Sequence, residues 1–432
     1  MSHSDILIIG AGIAGLAAGR KFTKAFKNVV ILEAAERPGG RIADLEDASF
    51  PGPVMLGAEF IHGKLPLTLA LLKEAGVGYR AIEGRSVKMT GGKIDQTGDE
   101  DIDWPAVMDR LGALEEDMSL REFLSLYFGD DKYQNLRDAV ENFAKGFDAA
   151  DPSAASAMAL FREWEMEEDE QYRVDGGYGR VVSFLEGECL LYGCEIHYNS
   201  VVKEVNWRPG FAEVLTADGR RFGAEKVIVT VPAGVLQLKE DAPASILFYP
   251  PLPSRFDAVQ DMGVGPVIKI ILRFGDAFWE AKTGTNAGFI FSKGVFPTWW
   301  TQSPSQVPVL TGWMAGPAVG EYSGAPDETI LELAVTSLAS ILGMPSTEIR
   351  SHLLAWKVGN WAANPFSNGA YTYPTVAVPR PSEILASPVE GTLFFAGEAA
   401  YEGRYGGTVE AALASAGHLL DESLKYETSD SN

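Results

Sequence analysis

Residues 5–34 constrain the fold more than any other part of the chain. They read DILII, then GAGIAG, then the helical LAAGRKFTKAF and a second apolar run, VVILEA. A short apolar run, a glycine turn, a helix and a second apolar run are typical of a βαβ unit with buried parallel strands. Gly10, Gly12 and Gly15 lie at its first turn. There glycine permits a tight turn, close approach of a pyrophosphate and packing of the helix on the sheet.

The residues that follow this unit favour FAD over NAD as the dinucleotide. Glu33 ends the second strand 18 residues after Gly15, where a carboxylate can accept hydrogen bonds from a ribose diol. Arg37, Gly40 and Arg41 come directly after it, and glycine beside arginine combines close backbone approach with positive charge, as a pyrophosphate requires. The alternative is a plain glycine turn with a solvated arginine.

Length and charge limit the possible partners. A chain of 432 residues exceeds the size at which one core keeps growing, so two domains are expected. The formal charge of -23 repels polyphosphate backbones and attracts cationic small molecules, so we expect no nucleic-acid partner. The chain contains no apolar run of about 18 residues, so we expect no membrane-spanning segment.

The cysteine content predicts the compartment. Cys189 and Cys194 have no second pair and no histidine spacing suited to zinc, which favours buried thiols over a metal site or a disulfide. The expected location is therefore a reducing one, the cytoplasm. The N-terminal apolar run lacks a basic flank and is interrupted by glycines, so it does not match a signal peptide.

The pattern along the chain predicts a discontinuous two-domain organisation. Residues 64–170 are helical and acidic, and they indicate an inserted helical region. Residues 246–365 alternate short strands with one helix, DETILELAVTSLASIL. We therefore predict an α/β protein with a Rossmann-like FAD-binding domain and a substrate-binding domain of mixed sheet plus helices. The first is formed by residues 1–63, 171–245 and 366–432, and the second by residues 64–170 and 246–365.

Three segments contain candidate site residues. In SNGAYTYP an Asn-Gly turn places Tyr371 and Tyr373 on a strand, either as ordinary strand residues or facing a site. Lys269 interrupts the apolar strand VIKIIL, where a buried ammonium is costly unless partnered; the alternative is an exposed strand face. The acidic run EWEMEEDE, residues 163–170, either lines an entrance for a polycation or forms a solvated face.

Segments from nearly the whole chain carry a resemblance to a known family. In chain order they read GAGIAGLAA, VVILEAAERPGGR, LGAEFIHG, VDGGYGRVVSFL, VIVTVPAGVL, LFFAGEAA and GGTVEAALASAG. The chain thereby resembles the flavin-dependent amine oxidases, which include monoamine and polyamine oxidases. The glycine turn alone would also fit amino-acid oxidases and carotenoid desaturases.

The resemblance implies an extended FAD with defined contacts. These are the glycines of the first turn at the pyrophosphate, Glu33 at the adenosine ribose, Arg41 near the phosphates, Val202 at the adenine through its backbone, Glu398 near the phosphate and ribityl chain, and the N–H groups of Thr408 and Val409 at the pyrimidine end of the flavin. A helix N-terminus suits that last position, because reduction places negative charge there.

The resemblance also implies three residues around the substrate. Tyr371 matches an aromatic residue that stacks on the substrate in front of the flavin. Lys269 matches a lysine that holds a water near flavin N5 and assists reoxidation by oxygen. His62 corresponds to a histidine of the polyamine-oxidising branch.

Two positions depart from the family pattern. Ala370 stands where mitochondrial-type monoamine oxidases have the cysteine that bonds to the flavin, so we expect non-covalent FAD. Thr408 stands where a second stacking aromatic is usual, which leaves the aromatic cage incomplete unless Tyr405, Trp299 or Trp300 completes it.

The expected activity is transfer of a hydride from an amine to FAD, with oxygen reduced to hydrogen peroxide and the imine hydrolysed to an aldehyde. Polyamine-like and aromatic monoamine substrates both remain open. An alternative is an L-amino-acid oxidase or another flavin dehydrogenase, in which Arg404 or Arg162 would pair with a substrate carboxylate. A further alternative is a flavin-binding protein that has lost catalysis.

Overall fold

A computed structural model describes residues 2–95, 102–165, 170–378 and 380–426. The strands in these ranges are β1 (Ser2–Ile9), β2 (Val29–Leu32), β3 (Asp44–Leu45), β4 (Val54–Met55), β5 (Phe60–His62), β6 (Tyr79–Ala81), β7 (Arg85–Thr90), β8 (Lys93–Ile94), β9 (Gln171–Val174), β10 (Glu195–His197), β11 (Val202–Arg208), β12 (Phe211–Thr216), β13 (Arg221–Val229), β14 (Leu247–Tyr249), β15 (Gly263–Gly265), β16 (Val267–Phe274), β17 (Ala287–Phe291), β18 (Thr298–Trp300), β19 (Val309–Ala315), β20 (Leu353–Asn360), β21 (Tyr371–Tyr373) and β22 (Leu393–Phe395).

The helices are α1 (Ile13–Lys24), α2 (Pro66–Glu74), α3 (Trp104–Gly112), α4 (Leu120–Tyr127), α5 (Gln134–Gly146), α6 (Ala157–Trp164), α7 (Gly179–Leu191), α8 (Ala233–Leu236), α9 (Pro253–Gln260), α10 (Glu280–Thr283), α11 (Asp327–Leu342), α12 (Ser346–His352), α13 (Pro381–Ala386), α14 (Val409–Gly417) and α15 (Leu419–Lys425). Short 3-10 helices span Asp131–Tyr133, Pro317–Glu321 and Glu398–Ala400.

The predicted βαβ unit forms the centre of a large sheet with the order β10-β2-β1-β13-β12-β11-β14, in which β22 also pairs with β13. Strands β10, β2, β1, β13 and β22 pair in parallel. In β1, Ile6 and Ile8 join a core with α1, α7 and α14, whereas Leu7 and Ile9 join a second core on the opposite face. The sheet is therefore buried on both sides, which explains why β1 reads as an uninterrupted apolar run.

A second sheet has the order β20-β16-β19-β18-β17-β7-β8. Its pairs are antiparallel except for the parallel pair of β7 with β17. In β16, Ile268, Ile270 and Leu272 pack in the core that contains α11. Because side chains alternate along a strand, Lys269 lies on the opposite face of this sheet.

Helices α3 to α6 surround a separate apolar cluster. Polar side chains cap three of them: Asp103 caps α3, Ser119 and Glu122 form a capping box on α4, and Ser156 caps α6. The indole N–H of Trp313 on β19 donates to the carbonyl of Gly146 at the end of α5 (2.8 Å). This contact joins the helical cluster to the second sheet.

Two local predictions were incomplete. Residues 64–170 contain β6, β7 and β8 as well as helices; in β7, Val87 and Met89 alternate with less buried residues and pack in the core that contains α11. Residues 246–365 contain α9, α10 and α12 besides α11; these helices are short and lack the strong periodicity by which α11 was recognised. Strand β14 pairs with β11 of the large sheet, and the exact division into two domains stays a prediction.

Among the described residues, no single helix has the length and apolar composition needed to cross a membrane. Helices α11 and α12 meet these criteria only as a pair, which is bent by 109°.

Candidate active site

A cavity of about 1690 Å³ is lined by the ends of β1 and β2 and by β16, β18 and β19. Pockets for a single ligand usually measure about 300–1000 Å³, so this cavity has room for a dinucleotide together with a substrate. Its lining contains every predicted site residue except Gly15. These are Gly10, Gly12, Glu33, Arg37, Gly40, Arg41, His62, Val202, Lys269, Tyr371, Glu398, Thr408 and Val409.

The glycine turn between β1 and α1 fits a pyrophosphate. Gly10 has a φ of +106°, which favours glycine, and a side-chain carbon at Gly15 would lie 2.0 Å from the Gly10 carbonyl oxygen. A side-chain carbon at Gly12 would meet no atom within 4 Å. Gly12 thus leaves an open cradle at the N-terminus of α1, where free backbone N–H groups bind anions.

Glu33 lies at the end of β2 with its carboxylate held by two backbone donors. The N–H of Ala11 donates to Oε2 (2.7 Å) and that of Ala35 donates to Oε1 (2.8 Å). Burial raises the pKa of Glu33, and the two donors oppose that rise. The carboxylate is thereby oriented beside the glycine turn, in a position that suits a ribose diol.

Arg37 and Arg41 have different surroundings. The guanidinium of Arg37 donates to the carbonyls of Pro38, Gly40 and Ile42, so it braces the glycine-containing loop. Its contact with the cofactor stays a prediction.

Arg41 connects the loop to the last third of the chain. Its Nη1 donates to Glu398 Oε1 (2.7 Å) and to the carbonyl of Ala370 (2.5 Å). The second oxygen of Glu398 accepts from the hydroxyl of Thr372 (2.7 Å). Glu398 therefore ties a predicted phosphate contact to β21, the strand that carries Tyr371.

The remaining predicted cofactor contacts lie at element ends. Val202 begins β11 and is buried. Thr408 is the N-cap of α14, with its hydroxyl accepting from the N–H of Ala411 (3.2 Å) and donating to the carbonyl of Tyr405 (2.6 Å). Val409 starts α14 at the cavity, so the N-terminus of this helix faces the space where the resemblance places the flavin. The donors and the open cradle together fit FAD.

Lys269 is buried rather than exposed, and it lies in a charged cluster. Its Nζ donates to Glu59 Oε2 (2.7 Å) and to the carbonyl of Gly57 (3.1 Å). Glu59 Oε1 also accepts from Nη2 of Arg173 (3.0 Å) and from the indole of Trp300 (3.1 Å). We call Glu59, Arg173, Lys269 and Trp300 the Glu59 cluster.

His62 and Tyr371 meet at Phe147. The His62 ring lies edge-on to that of Phe147 at a centroid distance of 5.3 Å, and the hydroxyl of Tyr371 donates to the Phe147 carbonyl (2.6 Å). The Nδ1 of His62 is buried and has no hydrogen-bond partner in the part of the chain that the structure describes. Burial lowers the pKa of His62 to about 4.

Two of the three candidates for the second cage aromatic line the cavity. Trp300 and Tyr405 line the cavity, whereas Trp299 is fully buried and bonds to the carbonyl of Phe296. Of the two arginines considered for a substrate carboxylate, Arg404 lines the cavity and Arg162 does not. Tyr373 packs against the helical cluster and also lines the cavity, so its structural role stays a prediction.

The acidic run lies only partly within the structure, because residues 166–169 fall outside the described ranges. Glu163, at the end of α6, is half-buried and lines the cavity. No described residue donates a hydrogen bond to its carboxylate, and burial raises its pKa to about 7. Of the acidic residues in this run that the structure describes, Glu163 is the one that reaches the cavity.

Sequence reasoning missed Glu59 and Arg173. The signal that could have pointed to Glu59 is the predicted burial of Lys269, since a buried ammonium requires an anion. Its partner is separated from it by 210 residues, and no spacing rule connects them.

An FAD-binding fold that opens onto an aromatic cavity with a buried lysine is the architecture of a flavin-dependent oxidoreductase. The chain belongs to the flavin containing amine oxidoreductases, because the pattern of that family matches residues 89–420. The pattern of NAD(P)-binding Rossmann-like domains matches residues 8–75. The predicted fold class and the FAD cofactor are thereby confirmed, as is membership of a family of amine oxidoreductases; the non-covalent attachment of FAD stays a prediction.

Curated relatives are similar over most of this chain. It is 28% identical over 433 residues to lysine-specific histone demethylase 1B of Mus musculus, covering 92% of this chain and 50% of that protein. It is 28% identical over 471 residues to polyamine oxidase 4 of Oryza sativa subsp. japonica, covering 98% of this chain and 89% of that one. The chain thus spans about half the length of the demethylase.

Solved structures share the fold. Wild-type putrescine oxidase bound to putrescine has a TM-score of 0.79 at 21% identity, with 98% of this chain and 99% of that chain covered. Cyclohexylamine oxidase from Brevibacterium oxydans IH-35A has a TM-score of 0.79 at 17% identity, with 97% and 99% covered.

Proposed function

We propose that the protein is an oxidase of small cationic amines that uses molecular oxygen, giving hydrogen peroxide and an imine that hydrolyses to an aldehyde. The observation that carries this proposal is that one cavity joins the dinucleotide cradle to Lys269, Tyr371 and His62. FAD bound in the cradle supplies the hydride acceptor. The protein side chains orient the amine, exclude water and set the charge around it.

His62 suits an amine substrate because its imidazole is neutral. A pKa near 4 leaves the ring uncharged at neutral pH, so it does not repel a cation. Its buried Nδ1 lacks a partner among the described residues, and an unpaired buried acceptor is costly. Nδ1 itself has almost no exposed surface, so a substrate in the cavity meets the neutral ring rather than this nitrogen.

Tyr371 supplies an aromatic surface. Its hydroxyl is engaged by the Phe147 carbonyl, and its ring lies 3.0 Å from the place a side-chain carbon at Gly407 would occupy. The hydrogen bond holds the ring, and the absence of a side chain at Gly407 leaves room for it beside the start of α14. An aromatic face attracts an ammonium group and excludes water.

Glu163 favours a diamine or polyamine as substrate. Its carboxylate lines the cavity with its pKa raised to about 7, so a second ammonium on the substrate would stabilise its ionised form. The names of the relatives, polyamine oxidase and putrescine oxidase, support this substrate class. The reacting amine would then lie near Tyr371 and the second amine near Glu163.

The test is an anaerobic mixture of the FAD-loaded protein with putrescine, with butylamine as a monoamine of equal carbon number, with L-amino acids and with a methyl-lysine peptide. The visible absorbance of oxidised flavin is followed, and peroxide is measured after air is admitted. Bleaching by putrescine well ahead of butylamine, with peroxide on aeration, is the expected result.

Other outcomes contradict parts of the proposal. Bleaching by L-amino acids would favour a carboxylate site at Arg404, and bleaching by the methyl-lysine peptide would favour a demethylase. Bleaching without peroxide would exclude oxygen as the acceptor. Absence of bleaching by every compound would leave a flavin-binding protein without amine oxidation.

We further propose that the protein functions in the reducing cytoplasm. The support is that Cys189 and Cys194 are both free and buried, as is usual where thiols stay reduced. Fractionation of the native cells checks this, and recovery of the protein in an oxidising compartment would contradict it.

A further inference from the structure

The carboxylate of the Glu59 cluster, Glu59 itself, has no role among those that the resemblance to the amine oxidases implies. Glu59, Arg173 and Lys269 are 4%, 2% and 1% exposed, so two cations share one anion away from bulk water. Taking such charges out of water is costly, and breaking a buried pair leaves an uncompensated charge. The arrangement therefore depends on Glu59.

The bonds to Glu59 divide its two oxygens between different partners. Arg173 and Trp300 donate to Oε1, which leaves Oε2 for Lys269. A carboxylate held on one oxygen by two rigid planar donors cannot rotate freely. The Lys269 ammonium also lies 5.4 Å from the centre of the Trp300 ring, so its position is set by several contacts.

We propose that Glu59 is the positioning residue of Lys269: it fixes the ammonium at the cavity wall and balances its charge there. The inference deepens the proposed function, and rests on it, because it concerns the lysine expected to assist reaction with oxygen. Glu59 acts through Lys269 rather than on the substrate.

The charges around the cluster define the pH range of the test. Burial alone raises the pKa of Glu59, but Lys269 and Arg173 outweigh it and hold that pKa below its ordinary value. Burial raises the pKa of Asp44, which also interacts with Lys269, to about 6, although the Gly179 N–H opposes the rise. Well above neutral pH both carboxylates are ionised, so neither adds a pH dependence of its own to the test in that range.

The first experiment uses protein without flavin. Acetic anhydride labels neutral amines, and peptide mass spectrometry follows Lys269 against pH, with the exposed Lys73 as internal reference. In Glu59→Gln the ammonium faces Arg173 without the carboxylate, so labelling is expected to begin about one to three pH units lower than in the unmodified protein. Glu59→Asp is expected to restore most of the original profile.

A matched control separates positioning from loss of stability. Glu410 is equally buried, accepts from the N–H groups of Leu67 and Thr68, and does not line the described cavity. Glu410→Gln is expected to lower the melting temperature and to leave Lys269 labelling unchanged. If Glu59→Gln does not fold, Glu59→Ala removes the same carboxylate and carries the same comparison.

The second experiment uses the FAD-loaded protein and measures flavin reoxidation by oxygen against pH. Glu59→Gln is expected to lose rate at alkaline pH, where the unmodified protein does not. In a Lys269→Met background, Glu59→Gln is expected to have no further effect on this rate, because the residue through which it acts is absent.

The results can contradict the positioning role of Glu59 and the proposed function independently of each other. Unchanged labelling of Lys269 in Glu59→Gln overturns the positioning role even if amines bleach the flavin. Shifted labelling in a protein that no amine bleaches leaves the positioning role standing and overturns the proposed function. Additive effects of Glu59→Gln and Lys269→Met on reoxidation would show that Glu59 acts by another route, which contradicts the inference.

Discussion

The dinucleotide cradle and the Glu59 cluster lie at the same cavity, which Arg173 alone of the cluster does not line, but they are built in different ways. The cradle comes from one short stretch: Gly10 and Gly12 lie between β1 and α1, and Glu33 directly follows β2. The cluster draws Glu59, Arg173, Lys269 and Trp300 from segments far apart in the chain. Backbone geometry fixes the sequence spacing between the residues of the cradle, whereas it fixes no spacing between the residues of the Glu59 cluster. Each can therefore be disrupted without the other.

The largest expected effect is on the cradle. Gly15→Val would place a side-chain carbon 2.0 Å from the Gly10 carbonyl oxygen, and overpacking of this kind destabilises by about 3 kcal/mol. We expect loss of both flavin and stability. A side-chain carbon at Gly12 would meet no atom within 4 Å, so Gly12→Asp should lower flavin content by like-charge repulsion while leaving the apoprotein as stable as before. Flavin content and melting temperature measure the two effects, and flavin retained by Gly15→Val would contradict this account.

The next effect is on the Glu59 cluster. Lys269→Met removes the cation, and reoxidation of the flavin is expected to slow by about a hundredfold, while reduction by the amine changes little. Stopped-flow absorbance separates the two half-reactions. Lys357→Met is the matched control, since Lys357 pairs with Asp47 near the surface and should leave both rates unchanged. Equal losses in both half-reactions would show that Lys269 acts on substrate binding.

A smaller effect is expected at Glu163. Glu163→Gln should raise the KM for putrescine about tenfold and leave that for butylamine unchanged. In the unmodified protein the putrescine KM should fall as pH rises through about 7, where Glu163 ionises. Steady-state kinetics across pH checks both, and a variant that keeps this pH dependence would exclude Glu163 as its cause.

Glu163 is also expected to make the stability of the fold depend on pH. Because the folded protein raises the pKa of Glu163 from 4.5 to about 7, the folded state binds this proton more tightly than the unfolded state. The protonated carboxyl of Glu163 therefore makes its full contribution to the free energy of unfolding below pH 4.5. This contribution, about 1 kcal/mol after allowance for solvent screening, is lost as pH rises to about 7. Unfolding of apoprotein should show this decline, and Glu163→Gln should lack it.

The smallest effect is expected at Tyr371. Tyr371→Phe loses the hydrogen bond to the Phe147 carbonyl, which contributes about 1 kcal/mol to stability, but it keeps the ring at the cavity. We expect a lower melting temperature with nearly unchanged kcat/KM. Tyr371→Ala should lower kcat/KM clearly, and equal activity losses in the two variants would assign the role to the hydroxyl instead.

Sequence reasoning succeeded where local geometry dictates residue type. The strand β1, the helix α1 and the turn at Gly10 follow from apolar runs and glycine spacing, and the burial of Lys269 follows from its neighbours in β16. It was incomplete where tertiary packing determines the secondary structure. Strand β7 lies in a region that was predicted to be helical, and its pairing with β17 places its alternating apolar residues in the core.

The sequence by itself determined the βαβ unit, the family and the FAD, because strand burial and pyrophosphate contact require apolar runs and glycines at fixed intervals. Only the tertiary structure decided which side chains meet Lys269 and His62, and that Glu163 alone of the described acidic run reaches the cavity. The physical reason is that electrostatic and aromatic contacts depend on distance in space, and partners separated by 210 residues leave no periodic trace along the chain.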